Sequence, residues 1–223
     1  MPFIYLYTVK YMKKCALLLF GISYSEYDCR KNLKYTINYN NSFDNYQKHI
    51  YKYFHDKGYL IDVYFSTNIS NKEEQDKLIE KYKPLEYSFI ENEDNRTLSR
   101  NRKFINVIKL CLNKNIIYDN ILITRFDLLF QKDFEKSNIK LDKFNLVSIL
   151  ERDDLICDNF YILPFSKLKQ FYEIAKKNIS NSFHKIKNEI EKIENPEFIN
   201  YILDERVHIH KLSFYKICRN NML

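Results

Sequence analysis

Arg125 and Asp127 stand two residues apart, immediately after the apolar run Ile121, Leu122 and Ile123. In an extended chain residues two apart point to the same side, so the guanidinium and the carboxylate would emerge together. The run opens at the turn-like Tyr118, Asp119 and Asn120 and is only a few residues long, which reads as a strand buried on both faces. In open α/β sheets, ligands bind at the carboxyl ends of such strands. Two chemistries fit the pair: an ion pair that caps a strand, or a charged ligand site. The second is the working expectation.

Other charged residues could join it. Glu151, Asp153 and Asp154 follow the apolar stretch 144–150, and Asp158 heads the stretch 157–164. Carboxylates at neighbouring strand ends can share a hard divalent cation such as Mg2+ or Mn2+. Residues 151–154 suit a solvated acidic turn equally well. Arg30, after the first apolar run, and Arg125 have the planar fork that grips a diphosphate. Ser66, Thr67 and Asn68 end the second run, where they could meet a base or ribose, or simply make a turn. Arg100 and Arg102 lead the helix before the central strand, as exposed charges or as contacts to a ligand. Several familiar devices are missing: a Gly-rich phosphate loop, a His pair at ligand spacing, a Ser nucleophile elbow. Two glycines in the whole chain exclude a dinucleotide fingerprint. His208 and His210 alternate on a late segment, as one face of an edge strand or as ligands.

The elements that must hold these residues alternate. Residues 15–23 read as a first buried strand, with Gly21 allowing close backbone approach, followed by a polar loop to Arg30. Residues 44–57 carry Tyr46, Ile50, Tyr53 and Phe54 at helical spacing, stopped by Gly58. Strands follow at 60–65 and 85–90 with a charged helix at 72–82 between them. From Leu98 the pattern is helical, with Phe104, Ile105, Ile108, Cys111 and Leu112 on one stripe. Beyond the central strand come strands at 144–150 and 157–164. Ser166 is expected to cap a helix, residues 181–193 to form another, and Asn195-Pro196-Glu197 to open a third. Residues 207–218 alternate like a strand. Strand–helix alternation argues for an α/β domain with a mostly parallel central sheet flanked by helices.

Bulk properties narrow the classes. A length of 223 residues suits one domain, 1–223, with residues 1–13 an N-terminal extension. Hydrophobic residues make up 45% and charged ones 29%, which is globular and not disordered or collagenous. The net charge of +7 favours an anionic partner. Its lysines and arginines are scattered, so nucleic-acid binding is unmarked. Five widely spaced cysteines match neither a zinc nor a redox pattern, consistent with a reducing compartment. The apolar run after Lys14 is too short to span a bilayer, which takes about 20 residues. The expectation is a cytoplasmic protein, with peripheral membrane contact left open.

One order of motifs stands out: Ser99-Arg100-Asn101-Arg102-Lys103-Phe104, a helix, Tyr118-Asp119, an apolar strand, then Arg125-Phe126-Asp127-Leu128. Downstream come Asp153, then Asp158-Asn159-Phe160, Pro164 with an aromatic helix, and Pro196-Glu197. Upstream, Asp62-Val63-Tyr64-Phe65-Ser66-Thr67 makes the second strand. Over roughly residues 14–216 this order resembles nucleotide-sugar glycosyltransferases of polysaccharide and lipopolysaccharide synthesis. The resemblance implies a single Rossmann-like GT-A domain, a nucleotide-sugar donor and a glycan or other hydroxyl acceptor. It also implies an Asp-x-Asp motif that holds a metal-bound diphosphate through Mn2+ or Mg2+. Here Arg125 replaces the first Asp, and Asp127 matches the last, the one expected to touch the metal. Arg125 could therefore stand in for part of the cation's charge. The resemblance further implies donor contacts from Arg30, Ser66, Thr67, Asn68, Arg100, Arg125 and Asp127. An inverting mechanism would need a carboxylate base, for which Asp158 is the first candidate and Asp153 the second. Two other functions compete: a sugar-nucleotide-binding module without activity, and a basic nucleic-acid-binding protein. The last would need aromatics interleaved with basic residues on one exposed face. Most aromatics here fall at core-like spacing, so no nucleic-acid partner is expected.

Overall fold

Lys13–Gly21 (β1) is buried from Cys15 onward and is an interior strand of the main sheet. Its apolar run has no polar face because both sides of the sheet are covered. The computed structural model describes residues 12–30, 33–149, 155–204, 214–218 and 220–221. After β1 come Tyr24–Arg30 (β2) and Leu33–Asn38 (β3), then Asn40–Tyr46 (α1), a wide π-turn Gln47–Tyr51, and Lys52–Asp56 (α2). Tyr59–Asn68 (β4), Lys72–Tyr82 (α3), Glu86–Ile90 (β5) and Arg96–Asn113 (α4) lead to Asn120–Arg125 (β6) and the short Leu128–Phe130 (β7). Phe144–Ile149 (β8), Ile156–Pro164 (β9), Leu168–Lys177 (α5), Lys187–Ile193 (α6) and Ile199–Asp204 (β10) follow. Tyr215–Ile217 (β11) and Asn220–Asn221 (β12) complete the described elements.

Seven strands form one sheet in the order β10-β8-β9-β6-β1-β4-β5. Every pairing is parallel except the two made by β9, which runs against both β6 and β8. The carboxyl ends of β1, β4, β6 and β8 therefore share one edge with the beginning of β9. Helices cover both faces. On one, Tyr46, Ile50 and Phe54 pack with Leu17, Leu19, Phe65 and Leu122. On the other, Phe104, Ile108 and Cys111 of α4 join Phe171, Ala175 and Ile190 over Leu18, Ile121 and Ile123. The expected Rossmann-like, mostly parallel α/β architecture is present. None of the helices among the described residues is long and apolar enough to cross a membrane.

Four local expectations change. The polar stretch after Ser23 is not a loop: β2 pairs antiparallel with β3, which gives its backbone groups partners. Ser166 does not cap α5, because Pro164 turns the chain into a 3-10 turn, Phe165–Lys167, that contains it. The helix expected over 181–193 is split into a 3-10 turn, Phe183–Lys185, and α6. Asn195-Pro196-Glu197 opens only the single turn Pro196–Phe198 before β10 begins. The winner there is the Ile199-to-Asp204 run, which pairs along β8 while Asn200 Nδ2 donates to Asn145 Oδ1 at 2.8 Å. Of the strand expected over 207–218, Tyr215–Ile217 forms and pairs antiparallel with β7. Residues 205–213 lie outside the described residues, as do 1–11 of the expected extension.

Candidate functional site at the carboxyl edge of the sheet

Arg125 is the last residue of β6 and sits in register with Phe20 of β1. The next residue of β1, Gly21, has φ +97, a left-handed conformation that side chains other than glycine's rarely adopt. The chain turns after Arg125, with Phe126 buried against Phe65 and Tyr82. Arg125 Nε donates to Asp127 Oδ1 at 2.7 Å and Nη2 donates to Oδ2, so one carboxylate is held at both oxygens. Nη1 donates to Asn159 Oδ1 at 3.1 Å, and Asn159 Nδ2 donates to the Tyr215 hydroxyl at 3.1 Å. From beneath, the hydroxyls of Tyr46 and Ser42 donate to the carbonyls of Arg125 and Phe126. Burial acts to discharge the Arg125 guanidinium, but the Asp127 carboxylate more than offsets it and holds the pKa above the ordinary arginine value. Burial, with the Asp127 charge added, pushes the Tyr46 phenol well up, so it serves as a neutral donor.

A second arginine–carboxylate pair lies alongside. Asp158, near the start of β9, is 1% exposed. Arg100 in the opening turns of α4 brings Nη1 to 2.5 Å from Oδ2, an ion contact made off the line of a hydrogen bond. His184 Nε2 is 3.5 Å from Oδ1, and His184 Nδ1 is 2.6 Å from the Ile156 carbonyl oxygen. The segment that carries His184 is tied to α4 by Asn101, whose Nδ2 donates to the carbonyls of Ile179 and Asn181, both at 2.8 Å. The reversed direction of β9 is what brings Asp158 and Asn159 to this edge together. One contacts Arg100 and the other Arg125.

The remaining sequence candidates are placed differently. Thr67 and Asn68 hold the start of the first hairpin: Ser23 N donates to Thr67 Oγ1 at 2.9 Å, and Asn68 Nδ2 donates to the Tyr24 carbonyl at 2.8 Å. Ser66 is fully buried beside Ser88 and Asn106, whose Nδ2 donates to Ser66 Oγ at 3.2 Å. These three polar side chains join elements to one another. Arg102 pairs with Glu93 on the exposed side of α4. Arg30 closes β2 in the backbone, its side chain outside the described ones, and Asp153 lies outside the described residues altogether. His208 and His210 do so as well. Sequence reading passed over His184, Asn159, Tyr215, Asn101 and Lys103. Asn159, Asn101 and Lys103 stood within the ordered motifs without a role of their own, and His184 and Tyr215 carried no signal.

Among the described residues, Lys103 is a buried cation whose hydrogen bonds go to no carboxylate. Its Nζ donates to Ser99 Oγ at 2.8 Å and Asn92 Oδ1 at 3.0 Å. Burial pulls its pKa down to about 8, only partly countered by Glu93. It ties the loop before α4 to the helix.

Of the carboxylates that the sequence offers to a divalent cation, Asp127 and Asp158 are described, while Glu151, Asp153 and Asp154 lie outside the described residues. Both oxygens of Asp127 accept from Arg125, and among the described residues no three His, Cys, Asp or Glu side chains converge on a point. A cleft of about 470 Å3, lined by Gln47, Tyr51, Lys52 and His55 among others, opens at the beginning of β4, the opposite edge of the sheet.

No family model matches the chain, and no curated protein matches it in sequence. Among solved structures it is similar to a glycosyltransferase involved in the glycosylation of the major capsid of PBCV-1. That match covers 87% of this chain and 82% of the other, at 10% identity and a TM-score of 0.44. A likeness of that degree carries no argument about activity.

Proposed function

We propose that this chain is a glycosyltransferase that moves a sugar from a nucleotide-diphosphate donor to a hydroxyl acceptor in glycan synthesis. The observation that carries the proposal is the pairing of two arginines with two carboxylates at the carboxyl edge of the sheet, Arg125 with Asp127 and Arg100 with Asp158. A diphosphate leaving group needs fixed positive charge that costs no reorganisation when negative charge develops. Arg125, locked by Asp127 and Asn159, supplies such a charge from behind. Arg100, whose side chain is 23% exposed, is the arginine a diphosphate can reach. Hydrogen-bonding forks of this kind match phosphate oxygens in pairs. With Asp127 taken up by Arg125, the proposal is a transferase that binds its donor without a divalent cation.

A second reading keeps the donor and drops the chemistry, leaving a sugar-nucleotide-binding module. It is favoured by the closure of Arg125 and Asp127 on each other. The cytoplasm is the proposed location, in keeping with Cys15, Cys111, Cys157 and Cys218 all being free thiols.

The test is a thermal-shift screen of nucleotide sugars, each with Mn2+ and with a chelator. A donor at ~100 times its dissociation constant adds roughly 2.7 kcal/mol of stability. The expected result is a shift with one nucleotide class, equal in both buffers, and release of its diphosphate when acceptors are added. A shift without release would favour the binding module. A shift only with nucleic acid would sink both.

A further inference from the structure

His184 presents a geometry that Asp158 alone does not. A carbonyl oxygen only accepts, so the 2.6 Å contact with Ile156 assigns the proton of the neutral ring to Nδ1. The lone pair then sits on Nε2, which faces Asp158 Oδ1 across 3.5 Å. Two acceptors look at each other there. The His184 side chain is 36% exposed, against 1% for Asp158, so of the two groups the imidazole is the one solvent reaches. Arg100 already stands against the other oxygen of Asp158, so the carboxylate's charge is shared with a guanidinium.

Resting on the transferase reading above, we propose that His184 Nε2 is the base that takes the proton of the acceptor hydroxyl, with Asp158 held beside it to stabilise the imidazolium that forms. The acceptor O–H bond breaks and an N–H bond forms at Nε2. The freed oxygen pair attacks the anomeric carbon, the bond from that carbon to the diphosphate oxygen breaks, and its electrons leave with the diphosphate beside Arg100. The imidazolium then returns its proton to water, so glycoside, nucleoside diphosphate and one proton are the products. The Ile156 carbonyl fixes the ring as the orienting group of a catalytic triad does, but the carboxylate here stands beside the nitrogen that takes the proton and not on the far one. Asp158 thereby becomes a positioning residue, and Asn101 fastens the segment that brings His184 to it.

The experiment uses the purified full chain with UDP-, GDP- and dTDP-sugars and simple pyranosides as acceptors, reading nucleoside diphosphate release and the donor-induced melting shift. His184→Gln retains an N–H for the Ile156 carbonyl but has no base. It is expected to keep the donor shift and to lose about 100-fold or more in turnover. His184→Ala should behave likewise and regain turnover when imidazole is added, which a structural role would not produce. Turnover within about threefold of the wild type in both variants overturns the proposal. So does loss of turnover in Asp158→Asn while both His184 variants retain it, since Asp158 would then be the base itself. A wild-type chain that neither shifts nor releases diphosphate with any donor fails at the earlier step and takes the transferase reading down as well.

Discussion

Asp127→Asn would leave the Arg125 guanidinium buried with its counter-charge gone. Breaking a buried ion pair from one side costs about 3–5 kcal/mol, while replacing both partners by apolar groups can be close to neutral. Urea unfolding of Asp127→Asn should show a loss of that size, and the double variant Arg125→Met, Asp127→Leu should recover more than half of it. Simple additivity of the two single losses would mean that the pair is not a unit. Lys103 gives a prediction of opposite character. Its folded pKa, about 8, lies below the ordinary 10.5, so the unfolded chain binds more protons between those values and stability rises with pH across that window. The stability of the wild type relative to Lys103→Met should therefore increase from about pH 8 to pH 10, as followed by chemical denaturation; a flat difference would contradict the burial argument. Spacing alone made Arg125 and Asp127 legible in the sequence as a pair. It could not reveal that they would satisfy each other, because that depends on Asn159, 34 residues on, closing the third side. His184 had no signal at all: its meaning lies in a carbonyl and a carboxylate of β9, while it stands on a 3-10 turn.

At the level of elements, periodicity identified most strands and helices, since apolar runs and stripes report burial directly. It does not report direction. Nothing in the residues 156–164 announces that β9 runs against its neighbours, yet this reversal decides which edge receives Asp158. Misplaced helices have a related cause. Proline at the first turn suits a helix, but at Pro196 the following run Ile199–Asp204 finds a partner in β8 and overrides it. Two elements far apart in the chain meet through one side chain at Asn101, which is fully buried and donates to two carbonyls of the segment before His184. Asn101→Ala leaves those carbonyls without donors and should cost about 1–3 kcal/mol. Hydrogen exchange ought to quicken first over residues 179–186; exchange unchanged there and faster in β6 would show that the tether acts elsewhere.

For the molecule as a whole, two apolar layers sandwich the sheet and the polar site is confined to one rim of it. If arginine rather than a metal ion meets the donor, affinity should fall steadily as ionic strength rises and should ignore chelators, since screening weakens exposed charge pairs. Titration calorimetry at low and high salt, with and without EDTA, reads both effects, and a chelator-dependent affinity would refute the metal-free account. The place of β6 between β1 and β9 has a consequence for a chain still being made. Once residues through 125 have emerged, β5, β4, β1 and β6 can pair and α4 can cover them. Until β9 follows, residues 120–124 expose a full row of unmatched amides and carbonyls on an apolar ribbon. Such an open border recruits any other strand within reach. The nascent protein is therefore stickiest at the very strand that ends in Arg125, and a chaperone that shields a half-built sheet would be most needed in that interval.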